Sequence, residues 1–347
     1  MPTVKNIFLS VFLITALQLD AQKHVISILD SGHATSIRGL SVVDDNIFWV
    51  SGNNGTVARS IDGGKTIEWL TVKGYEQRDF RDIEAFDAST AIIMAVAEPA
   101  IILKTKDAGK SWFKVFEDST KGMFLDAMDF SDEENGVAIG DPVIDFPNEI
   151  YRVYTRNGGD KWSRPLDDAK YLDKTITGEA MFASSGTNVK FIKAGNTFTR
   201  NKMLIVTGGM SAKIFSQNPL TKKELPLQQG KESTGANSIA IFDQRIIAVV
   251  GGDFANDKDT AGNCALSNDA GQTWIKPQTP PHGYRSCVEY ITKDKLITCG
   301  TSGVDISGDG GMNWQLISAQ SFHVCQKAKK GKAVFLAGTN GKIARLD

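Results

Sequence analysis

One short phrase recurs along this chain, and an internal repeat constrains a fold more than any other sequence feature. The copies are Ser60-Ile-Asp62-Gly-Gly64-Lys-Thr66 with Trp69, Thr105-Lys-Asp107-Ala-Gly109-Lys-Ser111-Trp112, Thr155-Arg-Asn157-Gly-Gly159-Asp-Lys-Trp162, Ser267-Asn-Asp269-Ala-Gly271-Gln-Thr273-Trp274 and Ser307-Gly-Asp309-Gly-Gly311-Met-Asn-Trp314. Five of the six tryptophans close one of them. Each position has a task. The Asp or Asn accepts bonds from amides of its own turn, and the Gly two residues later takes a positive φ that a Cβ would resist. The hydroxyl adds a local bond, and the indole packs beneath the hairpin. Trp69 comes two residues late, which predicts a bulge or a different start for that strand.

The phrase resembles the Asp-box, or bacterial neuraminidase repeat. With five copies, the chain resembles seven-bladed β-propellers of the photosystem II stability/assembly factor type, and more distantly sortilin-type receptors, xyloglucanases and sialidases. That resemblance implies boxes joining the third and fourth strands of each blade, on the face away from the functional one.

Spacing counts the blades. Asp62 to Asp107 is about 45 residues, Asp107 to Asn157 about 50 and Asp269 to Asp309 about 40, as propeller repeats require. Asn157 to Asp269 is about two repeats, so one box has decayed, with Lys213-Ile-Phe-Ser216-Gln-Asn218 as its place. After Asp309, Phe322–Ala328, Ala333–Gly338 and Lys342–Leu346 read as three strands, and His24–Leu29 supplies the missing outer one. The fold class expected is all-β: a seven-bladed β-propeller over residues 22–347, closed by its N-terminal strand. Apolar runs such as Thr90–Val96 and Arg245–Val250 suit inner strands covered on both faces.

Lys5, the apolar run Ile7–Leu17 and the small residue Ala21 before Gln22 have the form of a secretory signal peptide over residues 1–21. The mature chain is then expected in the periplasm or outside the cell, without a membrane-spanning segment. A formal net charge of −1 argues against nucleic acid as a partner. Cys264, Cys287, Cys299 and Cys325 allow disulfides in an oxidising compartment, and Cys287 and Cys299 flank a hairpin turn symmetrically; four buried free thiols are the alternative.

No cofactor or metal motif stands up. Gly64-Lys65-Thr66 and Gly109-Lys110-Ser111 lack the glycine that a phosphate loop needs upstream, and both are already explained by the repeat. His24, His33, His282 and His323 have no ligand spacing. The loop from Asp253 to Asn263 is rich in oxygen donors but lacks the closing Glu of a calcium loop, so it reads as a solvated loop.

Aligning the blades by their boxes places Arg38, Arg81, Leu125, Glu179, Asn237, Arg285 and His323 at the start of the inner strands, with Asp82 and Asp126 following two of them. The loops between second and third strands add Glu98, Asp141 and Asp253. These groups form the candidate binding set at one mouth of the channel; pairing among themselves as a structural network is the alternative. The arginines suit carboxylates. The function expected is a non-enzymatic scaffold binding a protein or peptide, with no catalytic residue assigned. A glycoside hydrolase using Glu98, Asp141, Glu179 or Asp253 is the competing reading, although the sialidase Arg-Ile-Pro signature is absent, since Gly39 follows Arg38.

Overall fold

A computed structural model describes residues 24–145, 147–164, 174–192, 202–217 and 220–347. The expected signal peptide and Asn218 of the decayed box lie outside the described residues. Seven antiparallel sheets stand around one axis, and no helix occurs among the described residues.

Blade 1 comprises β2–β5 (Ile37–Val42, Phe48–Gly52, Thr56–Ser60, Glu68–Thr71), and blade 2 comprises β6–β9 (Phe80–Ala85, Ala91–Ala95, Ala100–Thr105, Phe113–Asp118). Blade 3 has β10–β12 (Leu125–Phe130, Gly136–Gly140, Tyr151–Thr155) and a single outer bridge from Tyr154 to Ser163. A two-residue strand, β13 (Glu179–Ala180), precedes blade 4, which is β14, β15, β17 and β18 (Val189–Ile192, Lys202–Val206, Lys213–Gln217, Thr221–Glu224). The short β16 (Gly208–Gly209) joins β13 to blade 5, whose strands are β19–β21 (Thr234–Ile241, Ile247–Asp253, Cys264–Ser267). Blade 6 is β22–β25 (Cys287–Tyr290, Leu296–Gly300, Gly303–Ser307, Trp314–Ser318). Blade 7 is β26–β28 (Val324–Lys327, Val334–Ala337, Ile343–Leu346), completed by β1 (Ile26–Asp30), which pairs Ile26 with Leu346 and Ile28 with Ala344. The N-terminal strand therefore closes the ring, covering an edge that would otherwise be open.

The repeated turns connect third and fourth strands. In blade 2, Gly109 N–H donates to Thr105 Oγ1 (3.0 Å), Ser111 N–H to Asp107 Oδ1 (2.9 Å) and Ser111 Oγ to Asp107 Oδ2 (2.6 Å). These bonds, led by those from Ser111, hold the Asp107 carboxyl down at about 2. Gly109 has φ +83°, and the residue before it, Ala108, is also left-handed at +68°. Ala270 repeats this strain at +63° in blade 5, so the turn imposes its geometry even where a Cβ resists it. Trp69 lies inside β5 opposite Ala58, without a bulge in that pairing. Its indole donates to Asp30 and stacks on His33 at the ring seam.

The core lies between blades. The apolar runs expected on inner strands are second strands: β7 and β20 are buried throughout. First strands are mixed, because their channel edge leaves amides that need partners. Each junction answers this need with an acceptor from the preceding blade. Val42 N–H donates to Gln326 (2.6 Å), Ala85 to Ser41 (2.9 Å), Met128 to Asp82 (2.6 Å), Phe191 to Asp129 (2.8 Å) and Val288 to Ser238 (3.0 Å). Lys327 N–H bonds the Glu289 carboxyl, and Ile239 N–H meets the Thr187 carbonyl (2.9 Å). These bonds link the ring circumferentially.

Candidate functional site

The first strands are built to aim one side chain at the channel mouth. In blades 1, 2, 3 and 5 the ladder slips by one residue between Ile37 and Gly39, Phe80 and Asp82, Leu125 and Ala127, and Ala236 and Ser238. In blade 6 Ser286 and Cys287 both oppose Cys299, and in blade 7 His323 and Val324 both oppose Ala337. The extra residue of such a bulge is turned out of the ladder. Those residues are Arg38, Arg81, Asp126, Asn237, Ser286 and His323.

A bowl of about 530 Å³ opens at this mouth, lined by five of the six together with Phe124, Asp141, Ala180–Ser184, Phe254, Tyr284 and Thr301. Its floor is the segment after β13. Ser184 accepts from Arg38 Nη1 (3.4 Å) at its carbonyl and reaches Asn237 Oδ1 with its hydroxyl (3.0 Å). Ser185 Oγ bonds the Ser286 carbonyl (2.7 Å). Gly186 has φ +66°, and a Cβ there would collide with the Asp82 carboxyl. This segment crosses from blade 4 to blades 1, 2, 5 and 6, so the bowl is blind.

The walls are polarised. Blades 7, 1 and 2 contribute His323, Arg38 and Arg81. Arg81 pairs with Asp79 (2.8 Å) and lies over the Phe124 ring. Among the described residues Arg38 has no carboxylate within ion-pair distance, and burial together with the Arg81 charge lowers its pKa. His323 Nδ1 lies 3.0 Å from the Ile37 carbonyl, which only accepts, so that nitrogen carries the proton. Burial and the two arginines push its pKa down to about 4. The opposite wall is aromatic: Phe182 meets Phe254 edge-on at 5.7 Å, and Phe254 meets Tyr284 at 6.2 Å. Phe254, Met210, Ile176 and Ile144 are also exposed large apolar residues on loops of blades 3–5.

Asp126 and Asp141 form a carboxyl pair at blade 3. Asp141 accepts the Met181 amide (2.9 Å), and burial raises its pKa to about 6. Asp126 is wholly buried and, among the described residues, neither oxygen has a hydrogen bond of good geometry. Burial, then the Asp141 charge, pushes it well above the usual carboxylate range, outweighing the Asp141 and Ala183 amides, which lie close enough to lower its pKa.

The other expected site residues do not reach the bowl. Arg285 is wholly buried, bonded to Asp305 Oδ2 (2.7 Å), Ser302 Oγ (2.7 Å) and the Tyr284 carbonyl (2.8 Å). Glu179 is ten residues upstream of blade 4's first strand and is satisfied by Lys213 (2.6 Å), Thr207 (2.7 Å) and the Ile176 amide (3.0 Å). Asp82 ties blade 2 to blade 3, although burial raises its pKa. Asp253 caps its own loop through the Ala255 amide (2.9 Å), and a bond from Ser233 leads the causes lowering its pKa. Glu98 is exposed at the rim, holding the Gly122 amide. Sequence reasoning missed Ser286, Tyr284 and the 180–184 floor. Cys287 and Cys299 are direct cross-strand partners, and all four cysteines are buried free thiols. Among the described residues no group of three or more His, Cys, Asp or Glu is arranged to hold a metal ion, and no helix is long and apolar enough to cross a membrane.

Fold and mouth together define a class: a seven-bladed propeller with a blind, polarised bowl on its channel axis. Residues 27–177 match the family model described as photosynthesis system II assembly factor YCF48, and the chain resembles that family. A solved structure described as YCF48 bound to D1 peptide is 17% identical, covers 94% of this chain and 97% of its own, and superposes with a TM-score of 0.65. YCF48 from Cyanidioschyzon merolae is 14% identical over 92% of this chain and 98% of its own, with a TM-score of 0.61. A GH74 enzyme from Niastella koreensis is 11% identical over 82% of this chain and 47% of its own, with a TM-score of 0.56. At these identities the structural likeness speaks for the fold. No curated protein matches the sequence.

Proposed function

We propose that this chain is an exported, non-enzymatic assembly scaffold that binds a peptide segment of a partner protein in the bowl. The observation that carries the reading is Arg38: a largely buried guanidinium beside a second arginine, with no carboxylate partner among the described residues, facing an aromatic wall. Such a site suits a carboxylate attached to an apolar body, since guanidinium grips the anion in a fork and aromatic faces bury the rest. The YCF48 family match and the YCF48 structure described as bound to a D1 peptide support a peptide ligand and an assembly role. The N-terminal composition supports export.

The hydrolase reading finds less support. Of its four candidate carboxylates, Glu179 and Asp253 are buried and engaged, Glu98 stands at the rim, and only Asp141 lines the bowl. The carboxyl beside Asp141 is inaccessible Asp126, whereas glycoside hydrolysis needs two groups flanking the substrate.

The test is cross-linking capture of peptides from an envelope extract of the native host, comparing the parent with an Arg38→Glu/Arg81→Glu variant of matched stability. The reading expects a defined partner segment captured by the parent and at least tenfold less by the variant, as loss of one desolvated charge contact implies. Equal capture by both proteins would remove the bowl as the binding site.

A further inference from the structure

The Asp126–Asp141 pair meets amides of its own corner and of the floor segment, and its position also points to regulation of the same bowl; the inference rests on the carboxylate-capture reading above. Asp126 is the bulged residue of β10, and Asp141 follows β11, the strand paired with it, so the register brings both to the top of one blade. Asp141 N–H donates to the Phe124 carbonyl (3.0 Å), which fixes that corner. A buried carboxylate with only weakly placed donors is a costly state, and a proton relieves it.

The charged groups facing the pair do not neutralise it. Arg81 from blade 2 is the cation whose charge acts on Asp126, and it is already engaged by Asp79. Arg38 from blade 1 and uncharged His323 from blade 7 stand across the bowl. Asp82 is held by the Met128 and Ile83 amides.

We propose that the bowl takes up a carboxylate-bearing ligand together with a proton from solvent, held by the Asp126–Asp141 pair, so that acid favours capture and alkali favours release. With the proton in place the pair carries at most one negative charge and offers an O–H donor. With both groups ionised, two negative charges oppose the field of Arg38 and Arg81, and the ligand's own carboxylate is repelled. Burial raises both groups above the ordinary carboxylate range, Asp141 to about 6. The binding linkage follows: a ligand that prefers the protonated pair loses affinity as that form is depleted.

The experiment has two arms. Without ligand, the Met181 amide, which bonds Asp141, is followed by NMR on protein carrying isotope-labelled methionine. Its shift should titrate with a midpoint near 6, and the titration should vanish in Asp141→Asn. The second arm uses N-acetylphenylalanine, the smallest probe joining a carboxylate to an aromatic ring, with its amide as the neutral control. Binding to the parent should weaken up to roughly 30-fold from about pH 5 to about pH 7.5, the depletion of the protonated form for one group titrating near 6. In Asp141→Asn and Asp126→Asn the pH dependence should flatten. A Met181 midpoint near 4, the ordinary carboxylate value, would overturn the proposal whatever the probe does. A raised midpoint with pH-independent binding would overturn the coupling while leaving carboxylate capture standing. A raised midpoint with no binding at either pH would overturn carboxylate capture itself, and the coupling with it.

Discussion

Replacing Arg285 by leucine separates a fold-bearing arginine from a ligand-facing one. The guanidinium is wholly buried, as is Asp305, and it donates to Asp305, Ser302 and the Tyr284 carbonyl. Leucine removes these donors and leaves Asp305 with the half-exposed His282 ring (2.6 Å) as its remaining side-chain partner. Breaking a buried pair on one side costs about 3–5 kcal/mol, because a charge is left uncompensated. The His282 contact moves the expectation towards the lower end, about 3 kcal/mol. With a urea m-value on the order of 3 kcal/mol/M for a chain of this size, the midpoint falls by about 1 M at unchanged m. Tryptophan fluorescence in a urea series reads it directly. The companion Arg285→Leu/Asp305→Leu variant removes both charges and should recover most of the loss, giving a coupling of at least about 1 kcal/mol in the cycle. Arg38→Leu, by contrast, should change stability by under about 1 kcal/mol, because that side chain has no ion pair to lose among the described residues. An Arg285→Leu cost below about 1 kcal/mol, or a double variant no more stable than the single ones predict additively, would refute the argument.

Two further outcomes follow from buried groups. The raised pKa of Asp126 means the folded state holds its proton to higher pH than the unfolded chain does, so stability is fullest below the unfolded value and falls as pH rises towards the folded one. Asp126→Asn should therefore raise the melting temperature at about pH 7.5 and leave it nearly unchanged at about pH 4; calorimetry showing the reverse order would contradict the assignment. All four cysteines are buried thiols. Burial pushes the Cys264 thiol far up, whereas at Cys287 burial is outweighed by hydrogen bonds with Cys299 and Cys325, which draw the thiol down. None is open to a reagent, so reduced native protein should resist alkylation at all four sites and react fully once unfolded. Mass spectrometry finding rapid labelling of Cys287, Cys299 or Cys325 in the native state would count against a closed seam between blades 6 and 7.

What the sequence disclosed and what it concealed divide along a physical line. The repeated turns use local chemistry: Asp107 satisfies Ser111 four residues away, and Gly109 supplies its own positive φ. Such features leave their residues in fixed order, so blade number and the closing strand Ile26–Asp30 were legible. The mouth depends on register. A bulge shifts the outward side chain by one residue, and a shift of one reverses which face a side chain takes. Alignment by box spacing therefore reached Arg38, Arg81, Asn237 and His323, yet put Leu125 and Arg285 where Asp126 and Ser286 stand. Blade 4 failed differently, since the segment that floors the bowl displaces its first strand to Val189 and leaves Glu179 outside it. A usable signal was nevertheless present. Ser41, Asp129, Glu289 and Gln326 lie three residues beyond their bulges and Asp82 and Ser238 one beyond, positions that share a strand face. Polar residues recurring on one face of otherwise apolar first strands mark acceptors for the neighbouring blade's free amides. Excluding that face from the candidate set leaves the bulged residues as those free to meet a ligand, which is why Arg38 and Arg81 carry the functional reading and Asp82 does not.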